Sequence, residues 1–196
     1  MFAKDLKFNA DARKSILKGI NTLAVAVKLT LGPRENCVII GSLDGSPRVT
    51  KDGVSVAKEV ILSDPYENTG AQLIREAAVK TLNTVGDATT TSTILAQAIV
   101  NGCQKALDKG ISPLVIKEKI NAALKNVLDY IKDVTIDIKD SDIKNIATIS
   151  ANNDEELGSL IGDAFSKIGR DGVVTVEESS NETTKVVNTA RNNKTG

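Results

Sequence analysis

Four stretches of this chain repeat their apolar residues every three or four positions, and that periodicity limits the fold more than any other feature. The first runs through Ile16, Ile20, Leu23 and Val27, widened by Leu17 and Ala24. The second uses Leu73, Ala77, Leu82 and Val85, with Ile74 and Ala78 beside them. Ile94, Leu95, Ala98, Ile99, Gly102, Cys103, Ala106 and Leu107 make a third, predicted to face inward. Ile116, Ile120, Ala123, Leu124, Val127 and Ile131 make the fourth. Such spacing sets one side of an α-helix apart, and an amphipathic helix needs partners to bury that side. Aromatic residues are only 3% of the sequence against 41% hydrophobic, so the expected core is aliphatic and alanine-rich.

Local signals give the boundaries. Asn9 or Asp11 is placed to cap the first helix, which carries to about Lys28 and stops before Gly32-Pro33. Asp64-Pro65 marks a break. The second helix is predicted from about Asn68 to Val85, ended by Gly86, and the third from about Thr89 to Asp108, closed by Gly110. Ser112-Pro113 restarts the chain as a cap followed by proline at the first helical position. Between the first two helices, Cys37–Ile40 and Pro47–Thr50 read as short strands, with Asp44-Gly45 as the hairpin signal. Residues 1–8 read as a short edge strand.

The pattern changes near Lys132. Val134 to Ile138 alternates as a strand does, Asp140 to Asp142 caps a short helix, and Glu155 to Ile168 is helical. Asp171-Gly172 turns into a strand over Val173 to Val176. The fold class is therefore mainly α. A helical domain with a short β-hairpin spans 1–133, a small α/β module 134–187, and a polar tail 188–196.

Composition narrows the function. Basic and acidic residues number 25 each, so nothing suggests a nucleic-acid footprint. There is no histidine, which removes Ser-His and Cys-His catalysis and the usual zinc sites; Cys37 and Cys103 fit no metal spacing, and Cys103 is expected in the core. The first residues carry no signal-peptide apolar region, and no run approaches a membrane span. A soluble cytoplasmic protein is the simplest expectation. No Gly-x-x-x-x-Gly-Lys-Ser/Thr run occurs, which argues against a P-loop enzyme.

The chemistry concentrates in Gly86-Asp87-Ala88-Thr89-Thr90-Thr91-Ser92-Thr93, where a carboxylate meets a run of hydroxyls at the start of a helix. The first amides of a helix lack intrahelical partners and its dipole is positive there, so an anion fits, phosphate above all. Asp87 offers a hard oxygen ligand for Mg²⁺. The same residue also suits a plain helix cap. Two other stretches are open to both readings. Gly32 leaves room for a ligand near the backbone or simply ends a helix, and Thr50-Lys51-Asp52-Gly53 offers a lysine for phosphate and a carboxylate for water or is only a turn.

Taken together, Thr30-Leu31-Gly32-Pro33, Thr50 to Ala57, Glu67-Asn68-Thr69-Gly70-Ala71-Gln72, Gly86 to Thr91, Leu95 to Ala98 and Ile149-Ser150-Ala151-Asn152 stand in the order and spacing of the group I chaperonins. The chain resembles that family almost to Val187. The resemblance implies the first half of an ATP-binding equatorial domain over 1–133, followed by the ascending segment of an intermediate domain. It implies ATP and Mg²⁺ as cofactors. Thr30, Leu31, Gly32 and Pro33 would line the nucleotide, and Lys51 and Asp52 would lie near the phosphates, Asp52 as the catalytic carboxylate. Asp87 would bind Mg²⁺, Ala88, Thr89, Thr90 and Thr91 would cradle the phosphates, and Ile149 and Ser150 would close the site. It also implies homo-oligomeric rings, unfolded client proteins and a co-chaperonin, with ATP-dependent folding as the activity.

The sequence departs from the family at two nearby places. Ala88 stands where the family has glycine, and Glu35 stands where the family has another glycine. Family members also continue through an apical domain and a returning segment that carries a second catalytic carboxylate. This chain is therefore expected to bind nucleotide weakly and to turn it over little. The alternative is a non-catalytic interaction or ring-capping fragment with an uncovered apolar surface.

Overall fold

The computed structural model describes residues 6–32, 36–41, 45–151, 153–169, 172–177, 184 and 186–187. The elements in order are α1 (Asn9–Lys28), β1 (Val38–Ile40), β2 (Arg48–Thr50), α2 (Gly53–Glu59), α3 (Pro65–Val85), α4 (Thr89–Asp108), α5 (Pro113–Val134), α6 (Asp140–Ser150) and α7 (Glu155–Ile168). The protein is mainly helical with one small antiparallel sheet, as expected. The chain divides into two compact units, 1–126 and 127–196, with the division falling inside α5.

The first unit is built on α1 and α3. α1 buries Ile20, Leu23, Ala24 and Val27, the stripe read from its periodicity. Val56 and Ala57 of α2 and Ala71 and Ile74 of α3 complete this core. Each large aliphatic side chain withdrawn from water contributes about 1.5–3 kcal/mol. The two long helices meet through glycine. A methyl group at Gly19 would sit 1.7 Å from the Glu67 carbonyl oxygen, and one at Gly70 would sit 2.0 Å from that of Ile16. No side chain fits at either crossing point.

α3 begins earlier than expected because Asp64, not a residue near Asn68, caps it. The Asp64 carboxylate accepts from the amides of Tyr66 and Glu67, and Pro65 takes the first helical position. Gly86 ends the helix in the left-handed conformation. The buried face of α3 is Gly70, Ala71, Ile74 and Ala78, whereas Leu73 and Val85, expected inside, are exposed. Close approach to α1 selects small residues and turns the larger ones outward.

α4 shows the same rotation more strongly. Leu95, Ala98, Ile99 and Gly102, expected inward, are exposed. Cys103 is half-buried. Thr89 and Thr93 are buried instead, and Ala96 and Val100 pack on the core. Carboxamides tie this face to α1: Gln97 Nε2 and Asn101 Nδ2 both donate to Asn21 Oδ1 at 2.8 Å. Satisfied hydrogen bonds make a polar inner face tolerable.

β1 and β2 pair antiparallel, Val38 with Thr50, Ile39 with Val49 and Ile40 with Arg48. The turn residue Asp44 lies outside the described residues. α2 follows β2 directly, and Arg75 of α3 fastens its far end by donating from its guanidinium to the carbonyls of Ala57 and Val60. α5 buries none of its residues.

In the second unit α6 and α7 pack together, and Gly158 lies so near Thr148 that a methyl group there would approach its Cα to 2.5 Å. Asp154 caps α7 through the Leu157 amide. Three expected strands are absent among the described residues. α5 runs through Val134, so the alternation there is helical to that point and residues 135–138 pair with no strand. Among the described residues 173–176 and 6–8 form no strand. Alternation by itself supplies no hydrogen-bonding neighbour, and a lone strand is not stable. Asp171 and the tail 188–196 lie outside the described residues. Among the described residues no helix is long and apolar enough to cross a membrane.

Candidate functional site

The end of α1, the start of α2 and the start of α4 come together in the first unit. Thr30 follows α1 and is buried; its hydroxyl donates to the Val27 carbonyl at 2.8 Å. The same hydroxyl lies 3.1 Å from that of Thr90 in the first turn of α4. Gly53, the first residue of α2, faces both: a methyl group there would meet the Thr90 hydroxyl oxygen at 2.0 Å and that of Thr30 at 3.2 Å. Nothing in local spacing announces this three-way contact, since Thr30, Gly53 and Thr90 each have an ordinary turn or cap explanation.

α4 starts without a side-chain cap. Its N-cap is Ala88, in the left-handed conformation at φ 61 and ψ 24. The carbonyl of Ala88 accepts from Ser92, which opens the helix. Asp87 is exposed and does not cap α4; one carboxylate oxygen accepts from the adjacent Ala88 amide at 2.5 Å. The plain-cap reading of Asp87 is thus not what the structure shows. Amides of Thr89, Thr90 and Thr91 occupy the uncapped first turn, where an anion is electrostatically favoured. Thr89 and Thr93 are buried, and the Thr93 hydroxyl donates back to the Thr89 carbonyl at 2.8 Å.

Asp52 does cap a helix. Its carboxylate accepts from the amides of Val54 and Ser55 and, at 2.6 Å, from the Ser55 hydroxyl. Lys51 is exposed beside it. Leu31 is exposed, Gly32 takes φ 103 with open space around it, and Pro33 and Glu35 lie outside the described residues. Ile149 and Ser150 are the last residues of α6 in the second unit. Ile149 is exposed, and Ser150 borders an apolar groove of about 480 Å³ with Ile143, Ile146, Leu157, Ile161 and Phe165.

Among the described residues no cluster of three His, Cys, Asp or Glu is placed to hold a metal. Asp87, exposed beside the uncapped first turn, is a single hard oxygen donor, and Mg²⁺ needs no more than one or two carboxylates when phosphate oxygens and water fill its other positions.

The sequence pattern of the TCP-1/cpn60 chaperonin family matches residues 23–195. The chain belongs to this family. The fold agrees. The chaperonin gp146 from the bacteriophage EL 2 (Pseudomonas aeruginosa), crystallised in presence of ATP-BeFx, superposes with a TM-score of 0.70 and 26% identity over 86% of this chain. A group III chaperonin in the open state superposes at 0.68 and 25% identity over 82%. This chaperonin chain spans 30% of the first relative's length and 32% of the second's.

Proposed function

We propose that this chaperonin chain binds ATP with Mg²⁺ at the start of α4 and serves ATP-dependent protein folding in a ring assembly. The observation that carries the reading is the uncapped first turn of α4, with Asp87 beside it and Thr30 and Gly53 packed against Thr90. The amides and hydroxyls of Thr89, Thr90 and Thr91 would hold phosphate oxygens, and Asp87 would hold the metal. Lys51 would add a positive charge, and Thr30, Leu31, Gly32 and Pro33 would line the nucleotide. Bound Mg²⁺ would neutralise phosphate charge and align the transferring group.

Two features make weak binding and slow turnover the expected behaviour. Ala88 places a methyl group and a strained backbone where the phosphates would approach. Asp52 commits its carboxylate to the cap of α2, so orienting a water requires loosening that cap. Calorimetric titration with ATP and Mg²⁺, beside a phosphate-release assay, tests both. Weak, Mg²⁺-dependent binding lost in Asp87→Asn is expected; metal-independent binding, or binding that survives this substitution, refutes the site. Asp52→Asn keeps a good N-cap and removes the charge. It should therefore retain stability while abolishing residual turnover.

The exposed α5 favours a second reading, a chaperonin fragment that acts by association and not by hydrolysis. Turnover above background decides against it.

A further inference from the structure

α2 is only 7 residues long, Gly53 to Glu59, too short to hold its own hydrogen bonds in water. It persists because both of its ends are tied. At the start, the Asp52 carboxylate accepts from the amides of Val54 and Ser55 and from the Ser55 hydroxyl. At the far end, about 10 Å along the axis, the Arg75 guanidinium of α3 donates from Nε to the Ala57 carbonyl at 2.8 Å and from Nη2 to that of Val60. Ala57 is in the last turn of α2 and Val60 is its C-cap, so these carbonyls are among those a helix end leaves without partners. A cation at that end also meets the negative pole of the helix dipole. Burial of Val56 and Ala57 holds α2 against the core, but apolar contact has no direction. The two hydrogen bonds from Arg75 do, and they fix how the helix is turned.

The two ties act on one cooperative piece. So short a helix does not stay formed at one end while the other comes apart, and whatever steadies the Ala57 end also steadies the cap at Asp52. That matters for the proposed site, because Asp52 can orient a water only in the fraction of molecules whose cap is open. Gly53 seats the same helix against the first turn of α4, where a methyl group would lie 2.0 Å from the Thr90 hydroxyl oxygen. We infer, resting on that reading of Asp52, that Arg75 is its positioning residue: by clasping the far end of α2 it holds Asp52 on the cap and sets how often that carboxylate is free for chemistry. Arg75 touches neither nucleotide nor water and acts through α2 alone. Loosening the clasp should therefore speed turnover by enlarging the open fraction, where loss of a merely structural contact would slow it.

Amide hydrogen exchange and phosphate release, both on the whole chain, read the cap and the chemistry separately. Arg75→Met keeps an apolar stem and a good helix former and removes both donors. Exchange at the Val54 and Ser55 amides should quicken about tenfold, the worth of one hydrogen bond to a charged donor, while Leu23 and Ala24 in the core of α1 change less than about twofold. kcat should rise by the same factor with KM unchanged, because the phosphates sit on α4 and both rates read one opening. Adding Asp52→Asn should abolish the gain. Arg75→Lys, which keeps the cation and can donate to the same carbonyls, should bring exchange and kcat back to within about twofold of the unsubstituted chain. Unchanged exchange at Val54 and Ser55 overturns the inference, as do equal acceleration in the core, a kcat that stays level or falls, and a gain that survives Asp52→Asn. Failure of the nucleotide site itself looks different: calorimetry then shows no Mg²⁺-dependent ATP binding to the unsubstituted chain, while exchange at the cap still decides whether Arg75 holds Asp52.

Discussion

α1 and α5 are nearly equal in length and similarly striped, yet one buries its stripe and the other buries nothing. Periodicity tells which side of a helix is apolar, not whether a neighbour exists to cover it. α1 has that neighbour because Gly19 and Gly70 let α3 come within backbone contact, which closes Leu23 and Val27 off from water. Among the described residues α5 buries no side chain. The first unit's stability therefore rests on the α1–α3 crossing.

Matched truncations give the largest expected contrast. Leu23→Ala removes a fully buried side chain and should cost about 3–5 kcal/mol, most of a small domain's stability. Leu124→Ala on α5, where the side chain is exposed, should change stability by less than about 0.5 kcal/mol. Urea unfolding of the two variants makes the comparison. Equal losses would mean that α5 is covered within the monomer. Gly70→Ala comes next. Its methyl group would strike the Ile16 backbone, and overpacking against backbone belongs at the upper end of about 1–3 kcal/mol, with α1 and α3 forced apart.

The sequence shows where helices lie better than which way they face. The positions of α1, the hairpin strands, α4 and α7 follow from apolar spacing and turn glycines, and for α7 from its cap Asp154, all of which act within a few residues. The inward faces of α3 and α4 do not. Leu73 and Ile99 have the right spacing, but close helix contact favoured Ala71, Ala78 and the Asn21–Gln97–Asn101 carboxamides. A polar face turned inward is visible only once its hydrogen-bond partners are known. The strand readings at 134–138 and 173–176 find no strand among the described residues for a related reason, since a strand is defined by a neighbour. In the candidate site Asp87 and Thr89–Thr91 were legible as a helix start with a carboxylate ahead of it. Lys51 was open to a phosphate or a turn reading, Thr30 entered through family resemblance, and the grouping of Thr30 with Gly53 and Thr90 depends on tertiary packing.

Ala88 gives a smaller effect, confined to the site. A non-glycine residue at φ 61 costs about 1–2 kcal/mol, partly offset by the larger unfolded-chain entropy of glycine. Ala88→Gly should stabilise the protein by about 0.5–1 kcal/mol and, on the proposed reading, tighten ATP binding. Thermal unfolding with and without nucleotide separates the two. A stability gain without an affinity gain would confine Ala88 to a structural role.

The smallest effects concern pH and bear on the α1–α3 contact alone. The amide of Glu67, followed by that of Tyr66 and by the charges of Lys7 and Lys18, holds the Asp64 carboxyl below its usual value of 3.8. A lowered carboxyl contributes stability that is complete above its unfolded value and disappears as pH falls through the folded one. The hydrogen bond from Lys18 to Glu67, at 2.6 Å across the crossing, raises the Lys18 amine above 10.5. Its contribution is complete below that value and disappears as pH rises beyond it. Asp64→Asn keeps a good cap and loses the charge. It should flatten the acid limb of the stability profile below about pH 4 and leave the alkaline limb intact. Lys18→Met should flatten only the alkaline limb, and salt should reduce both effects because the groups are exposed. An acid limb unchanged in Asp64→Asn would place the acid-sensitive contact elsewhere than at the start of α3.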